Sequence, residues 1–124
     1  MSGKLIDTNI LIYLSKKKLD FEKVASQTDR LFISVITYME VWGYQFEDDT
    51  EKQIIEQLCQ HLPIIDLNPG IVNKVIAIRQ QHRIKLPDAI ILATALTRNL
   101  ELVTANTADF TNIDPDLRIS NPMI

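Results

Sequence analysis

Apolar residues in this chain fall into short blocks separated by longer stretches of helical spacing. Residues 4–6, 31–33, 64–65 and 100–103 are brief apolar runs, the pattern of strands buried on both faces. Residues 35–46, 51–61, 71–83 and 88–98 place apolar side chains every three or four positions and predict helices. A further helix begins near Asn9 and closes on Lys16, Lys17 and Lys18, while residues 118–120 predict a short edge strand. No repeat, low-complexity tract or Pro/Gly/Ser-rich linker interrupts the alternation, so residues 1–124 read as a single domain. Parallel neighbours need crossover connections, which lay helices over both sides of the sheet. The expected fold is therefore α/β, a three-layer α/β/α sandwich with a central parallel sheet.

Ligands of such sheets sit outside the carboxyl ends of the strands, which draws attention to the residues just past them. Asp7 follows the first strand, and Glu40 lies about two turns into the helix after the second. Asp88 opens the last long helix, and Asp109 comes shortly after the fourth strand. Each has a purely structural alternative. Asp7 fits a helix N-cap. Thr37-Tyr38-Met39-Glu40 has the form of a capping box, although Ser34 is the better cap for that helix. Asp88 follows Pro87 at a helix start, where an acid suits the helix dipole, and Asp109 suits a polar loop. The stretch after Asp88, Ala89-Ile90-Ile91-Leu92-Ala93-Thr94-Ala95-Leu96, is apolar nearly all round. Such a helix is buried, so its acidic start faces a protein-lined crevice.

Composition removes many alternatives. Among 124 residues there are only three glycines, so neither a G-x-G-x-x-G nor a G-x-x-x-x-G-K-[ST] phosphate loop can be written. Cys59 is the single cysteine and His61 and His82 the only histidines, which leaves no disulfide and argues against a zinc cluster. Cys59 and His61 lie two apart and do not face each other on a helix, so they predict packing or surface roles rather than a nucleophile pair. With no signal-like or membrane-spanning run, the expected location is the cytoplasm. The net charge of −3, from 13 basic and 16 acidic residues, disfavours indiscriminate binding of polyanions.

Several carboxylates in one crevice repel one another unless some are protonated or a multivalent cation intervenes. A few hard oxygen ligands, with positions left for water and phosphate, describe Mg²⁺ or Mn²⁺. Such a centre suits phosphodiester hydrolysis, because a cation orients the phosphate, activates water and offsets transition-state charge.

Ile6-Asp7-Thr8-Asn9, the helix around Glu40, the string Lys85-Leu86-Pro87-Asp88-Ala89-Ile90-Ile91-Leu92-Ala93-Thr94-Ala95 and the string Thr104-Ala105-Asn106-Thr107-Ala108-Asp109-Phe110 together resemble a PIN domain. The likeness is to the VapC-type toxins of bacterial toxin–antitoxin pairs, and it runs over nearly the whole chain. It implies a metal-dependent endoribonuclease with an acidic quartet at Asp7, Glu40, Asp88 and Asp109. Asp7 and Asp88 would ligate Mg²⁺ or Mn²⁺ directly, and Asp109 would complete the site or bridge through water. Glu40 would hold a metal-bound water or a second cation. Thr8, Asn9, Thr104 and Asn106 match polar positions that support the carboxylates or approach the substrate phosphate.

The same resemblance implies an RNA substrate, a VapB-type antitoxin that fills a hydrophobic groove, and a homodimer. Tyr38, Trp42 and Phe46 recur every four residues, on the reading above as one stripe of the helix carrying Glu40, and suit either core packing or such a groove. Lys16-Lys17-Lys18 and the cluster Arg79, Arg83, Lys85 suit solvated surface or contacts to RNA phosphates. Two rival readings are a non-catalytic PIN-like RNA-binding or protein-interaction module and a receiver-like regulator. The second lacks a convincing pair of phosphoacceptor aspartate and later lysine.

Overall fold

The computed structural model describes residues 3–124. Five strands, β1 (Gly3–Ile6), β2 (Arg30–Ser34), β3 (Ile64–Ile65), β4 (Glu101–Val103) and β5 (Ile119–Ser120), form a sheet in the order β3-β2-β1-β4-β5. Every pairing is parallel. The helices are α1 (Thr8–Ser15), α2 (Phe21–Val24), α3 (Val35–Trp42), α4 (Asp49–Gln60), α5 (Pro69–Gln81) and α6 (Leu86–Thr97). This is the three-layer architecture expected from the alternation of short apolar blocks and helical stretches.

Alternation along the central strands sends consecutive side chains to opposite faces. Leu5 and Leu102 pack with Ile71, Val75 and Ile78 of α5 and with the buried run Ala89 to Ala93 of α6. Ile6 and Val103 pack instead with Ile10, Leu11 and Leu14 of α1, Val41 of α3 and Ile55 of α4. At Leu5-Ile6 and Leu102-Val103 both faces of the sheet are thus dry, which explains the consecutive apolar residues at the carboxyl ends of β1 and β4.

Local sequence fixes the helix starts. Ser34 accepts from the Ile36 N–H over 3.1 Å, Asp48 from the Glu51 N–H over 2.9 Å and Asn68 from the Ile71 N–H over 2.9 Å. Each satisfies one of the donors that a first turn leaves unpaired. The ends of α1 and α6 share another device. The Lys18 N–H donates to Tyr13 O over 3.0 Å and the Lys17 N–H to Leu14 O over 3.1 Å, with Lys17 at φ 59°. Leu100 and Asn99 repeat these bonds to Ala95 O and Leu96 O, with Asn99 at φ 53°. Both are Schellman ends, built here on lysine and asparagine where glycine is usual.

Two elements differ from the sequence expectation. The helix expected over 35–46 stops at Trp42, where the Gly43 N–H donates to Met39 O over 3.0 Å. Tyr38 and Trp42 still pair, with ring centroids 6.0 Å apart, but Phe46 has left the helix and packs on Tyr44 at 5.0 Å. The aromatic stripe is therefore two separate pairs. The single turn α2 is too short to carry a helical period and was not foreseen. Among the described residues, no helix is long and apolar enough to cross a membrane.

Candidate active site

Asp7 is the residue after β1, and the strand geometry dictates its surroundings. Its N–H donates to Val103 O over 2.9 Å, extending the ladder with β4 by one bond. The backbone then turns into α1, and the Asp7 carboxylate caps that helix by accepting from the Thr8 N–H at Oδ1 over 2.7 Å. Its other oxygen, Oδ2, accepts from the Thr104 hydroxyl over 2.7 Å and from Asn9 Nδ2 over 3.1 Å. Capping and chemistry are thus not alternatives at Asp7, because the cap uses one oxygen of a carboxylate that is 5% exposed.

The Asn9 amide ties the turn after β1 to the segment after β4. Nδ2 reaches Thr104 Oγ1 at 3.3 Å as well as Asp7, while Oδ1 accepts from the Ala105 N–H over 3.0 Å. The Asn106 N–H donates to Thr104 Oγ1 over 3.0 Å. With its oxygen accepting from Asn106 and Asn9, the Thr104 hydroxyl proton is committed to Asp7. The Asn106 side chain itself is exposed.

Glu40 is exposed on α3 and does not sit unpartnered in the core. Its Oε1 accepts from the Thr8 hydroxyl over 2.6 Å, and Thr8 Oγ1 lies 3.0 Å from the hydroxyl of Thr37. Thr8 therefore touches two of the carboxylates, Asp7 through its N–H and Glu40 through its hydroxyl. Thr37, fully buried, was weighed in the sequence only as an alternative cap. The Thr-x-x-Glu spacing was the available signal, since positions three apart share a helix face.

Asp88 stands half-buried in the first turn of α6, and Asp109 ends an exposed 3-10 turn over Thr107–Asp109. Burial pushes the Asp7 carboxyl above its ordinary value, against the lowering effect of the bonds from Thr104 and Thr8; the charges of Asp88 and Glu40 add to the rise. Burial also raises Asp88, followed by the charges of Asp109 and Glu40, with Lys85 acting in the opposite sense. Asp88 is thus within electrostatic reach of all three other acids, and Asp109 joins the group through it. Among the described residues, no three His, Cys, Asp or Glu side chains stand close enough together to enclose a cation. The four carboxylates are thus linked electrostatically, with Asp7 buried and bonded at both oxygens and Glu40 and Asp109 exposed.

The basic clusters divide. Lys16 is occupied, 3.3 Å from Glu51, 3.6 Å from Glu47 and 5.7 Å above the Tyr44 ring. Lys17 and Lys18 are exposed. Arg79 Nε donates to Ile84 O over 3.2 Å, leaving Arg83 and Lys85 free on the surface beside the start of α6. Cys59 is half-buried with its thiol raised by burial, and His61 ends α4.

Comparison with known proteins finds relatives of this chain over nearly its whole length. Ribonuclease VapC of Rickettsia bellii (strain RML369-C) is 28% identical over 128 residues, covering 94% of each chain. A chain of a toxin–antitoxin complex from Klebsiella pneumoniae is 37% identical, with TM-score 0.72, over 96% of this chain and 97% of that one. A chain of the DNA-bound VapBC from Salmonella typhimurium is 26% identical, with TM-score 0.81, over 98% of this chain and 99% of that one. The PIN domain model matches residues 4–114, which span β1 to the segment beyond Asp109 and contain all four acids. The chain belongs to the PIN domain family.

Proposed function

We propose that this protein is a divalent-metal-dependent endoribonuclease that acts as the toxin of a VapBC-type pair. The observation that carries the reading is three carboxylates, Asp7, Glu40 and Asp109, within electrostatic reach of Asp88. Asp7 and Asp88 are desolvated, mutually repelling carboxylates, and natural folds retain such an arrangement where function requires it. The donor set fits Mg²⁺ or Mn²⁺ in kind, being all carboxylate oxygen, and the thiol and imidazoles lie elsewhere.

In this reading Asp7 and Asp88 hold the cation, Asp109 completes its surroundings directly or through water, and Glu40 orients the attacking water or a second cation. A bound cation supplies alignment of the scissile phosphate, a more acidic water and compensation for charge developing in the in-line displacement. The chain's own contribution is orientation. Thr104, Asn9 and the Thr8 N–H fix both oxygens of Asp7, and Thr8 fixes one oxygen of Glu40, leaving its other oxygen free. Asn106 and the exposed Lys17 and Lys18 would meet RNA phosphates.

The antitoxin reading rests on apolar surface next to the acids. Met39, Trp42 and Tyr44 are 55%, 41% and 40% exposed beside Glu40. A groove of about 320 Å³ continues from Trp42 past Tyr44 and Phe46 to Glu47 and Asp49. A VapB-type segment lying there would bring a basic side chain to the carboxylates and block phosphate entry. The homodimer reading rests on the junction of α5 and α6, where Ile76 of α5 and Leu86 of α6 are 50% and 49% exposed at a groove of about 710 Å³.

The deciding experiment assays purified wild type, Asp7→Asn and Asp88→Asn on RNA with Mg²⁺, with Mn²⁺ and with EDTA. Cleavage by the wild type alone, and only with metal, is expected. Equal cleavage by all three proteins, or by the wild type in EDTA, overturns the reading.

A further inference from the structure

The two ends of α1 carry opposite charge. Asp7 caps its start, and Lys17 and Lys18 follow its end. Eight helical residues lie between them, about 12 Å at 1.5 Å per residue. Cations at a helix C-terminus suit the dipole, which accounts for Lys17 and Lys18. It does not account for Lys23, which comes from α2 and lines the same cavity of about 190 Å³. Pro122 and Met123, in the turn over residues 121–124, line it as well.

Ammonium groups gathered around one cavity repel one another unless an anion lies between them. Asp20 is the one carboxylate among the lining residues, and among the described residues none of the three lysines forms an ion pair. Their neighbours differ. Lys16 is held by Glu51 and Glu47, and Lys4 by Asp29 at 3.1 Å and Val24 O at 3.0 Å. The backbone beneath the cluster is fixed: Lys17 and Lys18 close the Schellman end of α1, and Leu19 beside them is 7% exposed. An anion bound there costs little further ordering of the chain.

The cavity is also tied to the acids. Asn121 Nδ2 donates to Ala105 O over 3.4 Å, and the Met123 N–H donates to Asn121 Oδ1 over 2.9 Å. Ala105 stands between Thr104, which bonds Asp7, and the exposed Asn106. A path of partly exposed residues therefore runs from Asp7 through Ala105 and Asn121 to the three lysines.

We propose that Lys17, Lys18 and Lys23 form a phosphate subsite that grips the RNA strand away from the bond being cut. A single strand laid along this path has its scissile phosphate at the acids and a phosphate several nucleotides away in the cavity. Lysines offer donors and full charge but no acceptor with which to read a base, so the subsite serves affinity and register, not sequence choice. The inference deepens the nuclease reading and rests on it for RNA as the ligand.

The test compares the wild type with a glutamine variant (Lys17→Gln, Lys18→Gln and Lys23→Gln) and an arginine variant at the same positions, on RNA of about 4 and about 20 nucleotides. With Mg²⁺, KM for the long RNA is expected to rise about 10-fold in the glutamine variant, the size of three exposed charge contacts. The kcat and the KM for the short RNA should not change, and the arginine variant should match the wild type. In EDTA, binding of the long RNA by the glutamine variant should lose about 2 from its log–log salt slope, at about 0.7 per contact. If the wild type cleaves and the glutamine variant keeps its KM and salt slope, the inference is overturned and the nuclease reading stands. An equal KM rise on the short RNA, or an effect of Lys74→Gln on the other side of the sheet as large as that of Lys23→Gln, also overturns it. A wild type that does not cleave, yet binds the long RNA through a salt slope that the glutamine variant loses, sinks the nuclease reading and leaves the subsite standing. Neither cleavage nor binding by the wild type overturns both.

Discussion

The Thr104 hydroxyl donates to Asp7 Oδ2 over 2.7 Å, joining residues 97 positions apart at the ends of adjacent strands. Because Thr104 is 0% exposed, no water can replace that donor. Thr104→Val should lower RNA cleavage about 10- to 100-fold, the usual cost of losing a partner that orients a metal-site carboxylate, and Thr104→Ser should retain most of it. Steady-state kinetics on one RNA substrate, with folding checked by circular dichroism, distinguishes the two.

On the proposed reading, the four acids oppose folding when no cation is bound. Asp88 is raised by burial and by Asp109 and Glu40, so Asp88→Asn should raise the melting temperature of the protein in EDTA. Added Mn²⁺ should stabilise the wild type, by about 2.7 kcal/mol at one hundred times Kd, and leave Asp88→Asn nearly unmoved. Melting curves with and without metal measure both effects. A wild type indifferent to Mn²⁺ would contradict the prediction.

Asp29 supplies the acid dependence of stability away from the site. The Ser26 N–H, 2.9 Å away, and then the Lys4 ammonium, 3.1 Å away, hold its carboxyl below the usual 3.8. A carboxyl with a depressed folded value stabilises the protein above the unfolded value and loses that contribution as pH falls through the folded one. Asp29→Asn should therefore melt earlier than wild type at pH 7, with the gap closing under acid conditions below pH 4. A gap that is constant with pH would assign the effect to something other than this charge.

Lys17 adopts φ 59° at the end of α1, a conformation that strains every residue with a Cβ. Lys17→Gly should raise unfolding free energy by about 0.5–1 kcal/mol, because the strain relieved exceeds the added freedom of the unfolded chain. Urea denaturation measures it. The matching change at Lys18, which does not occupy that conformation, should be destabilising or neutral.

Much of the architecture was legible because both faces of the sheet are buried at Leu5-Ile6 and Leu102-Val103, so each strand leaves consecutive apolar residues in the sequence despite Lys4 and Glu101 beside them. The end of α3 was misjudged because Phe46 continues the four-residue spacing of Tyr38 and Trp42, while the local stop at Gly43 is a single residue. Of the site, Asp7 and Asp88 could be singled out from neighbouring residues, a strand end in one case and a proline-led helix start in the other. The bond from Thr8 to Thr37 could not, since the two residues are 29 positions apart and only the packing of α1 on α3 brings them together. The basic run Lys16-Lys17-Lys18 hid three different fates behind one residue type: an ion pair, a helix stop and a free surface charge.

β1 is paired along both edges, by β2 and by β4, and Asp7 continues its ladder. Amide exchange at Asp7 should therefore be among the slowest in the chain, requiring opening of the whole sheet. Asp109 ends an exposed single turn, where local fraying is enough to move it. Moving Asp7 therefore means opening the sheet, whereas Asp109 can shift with its own turn.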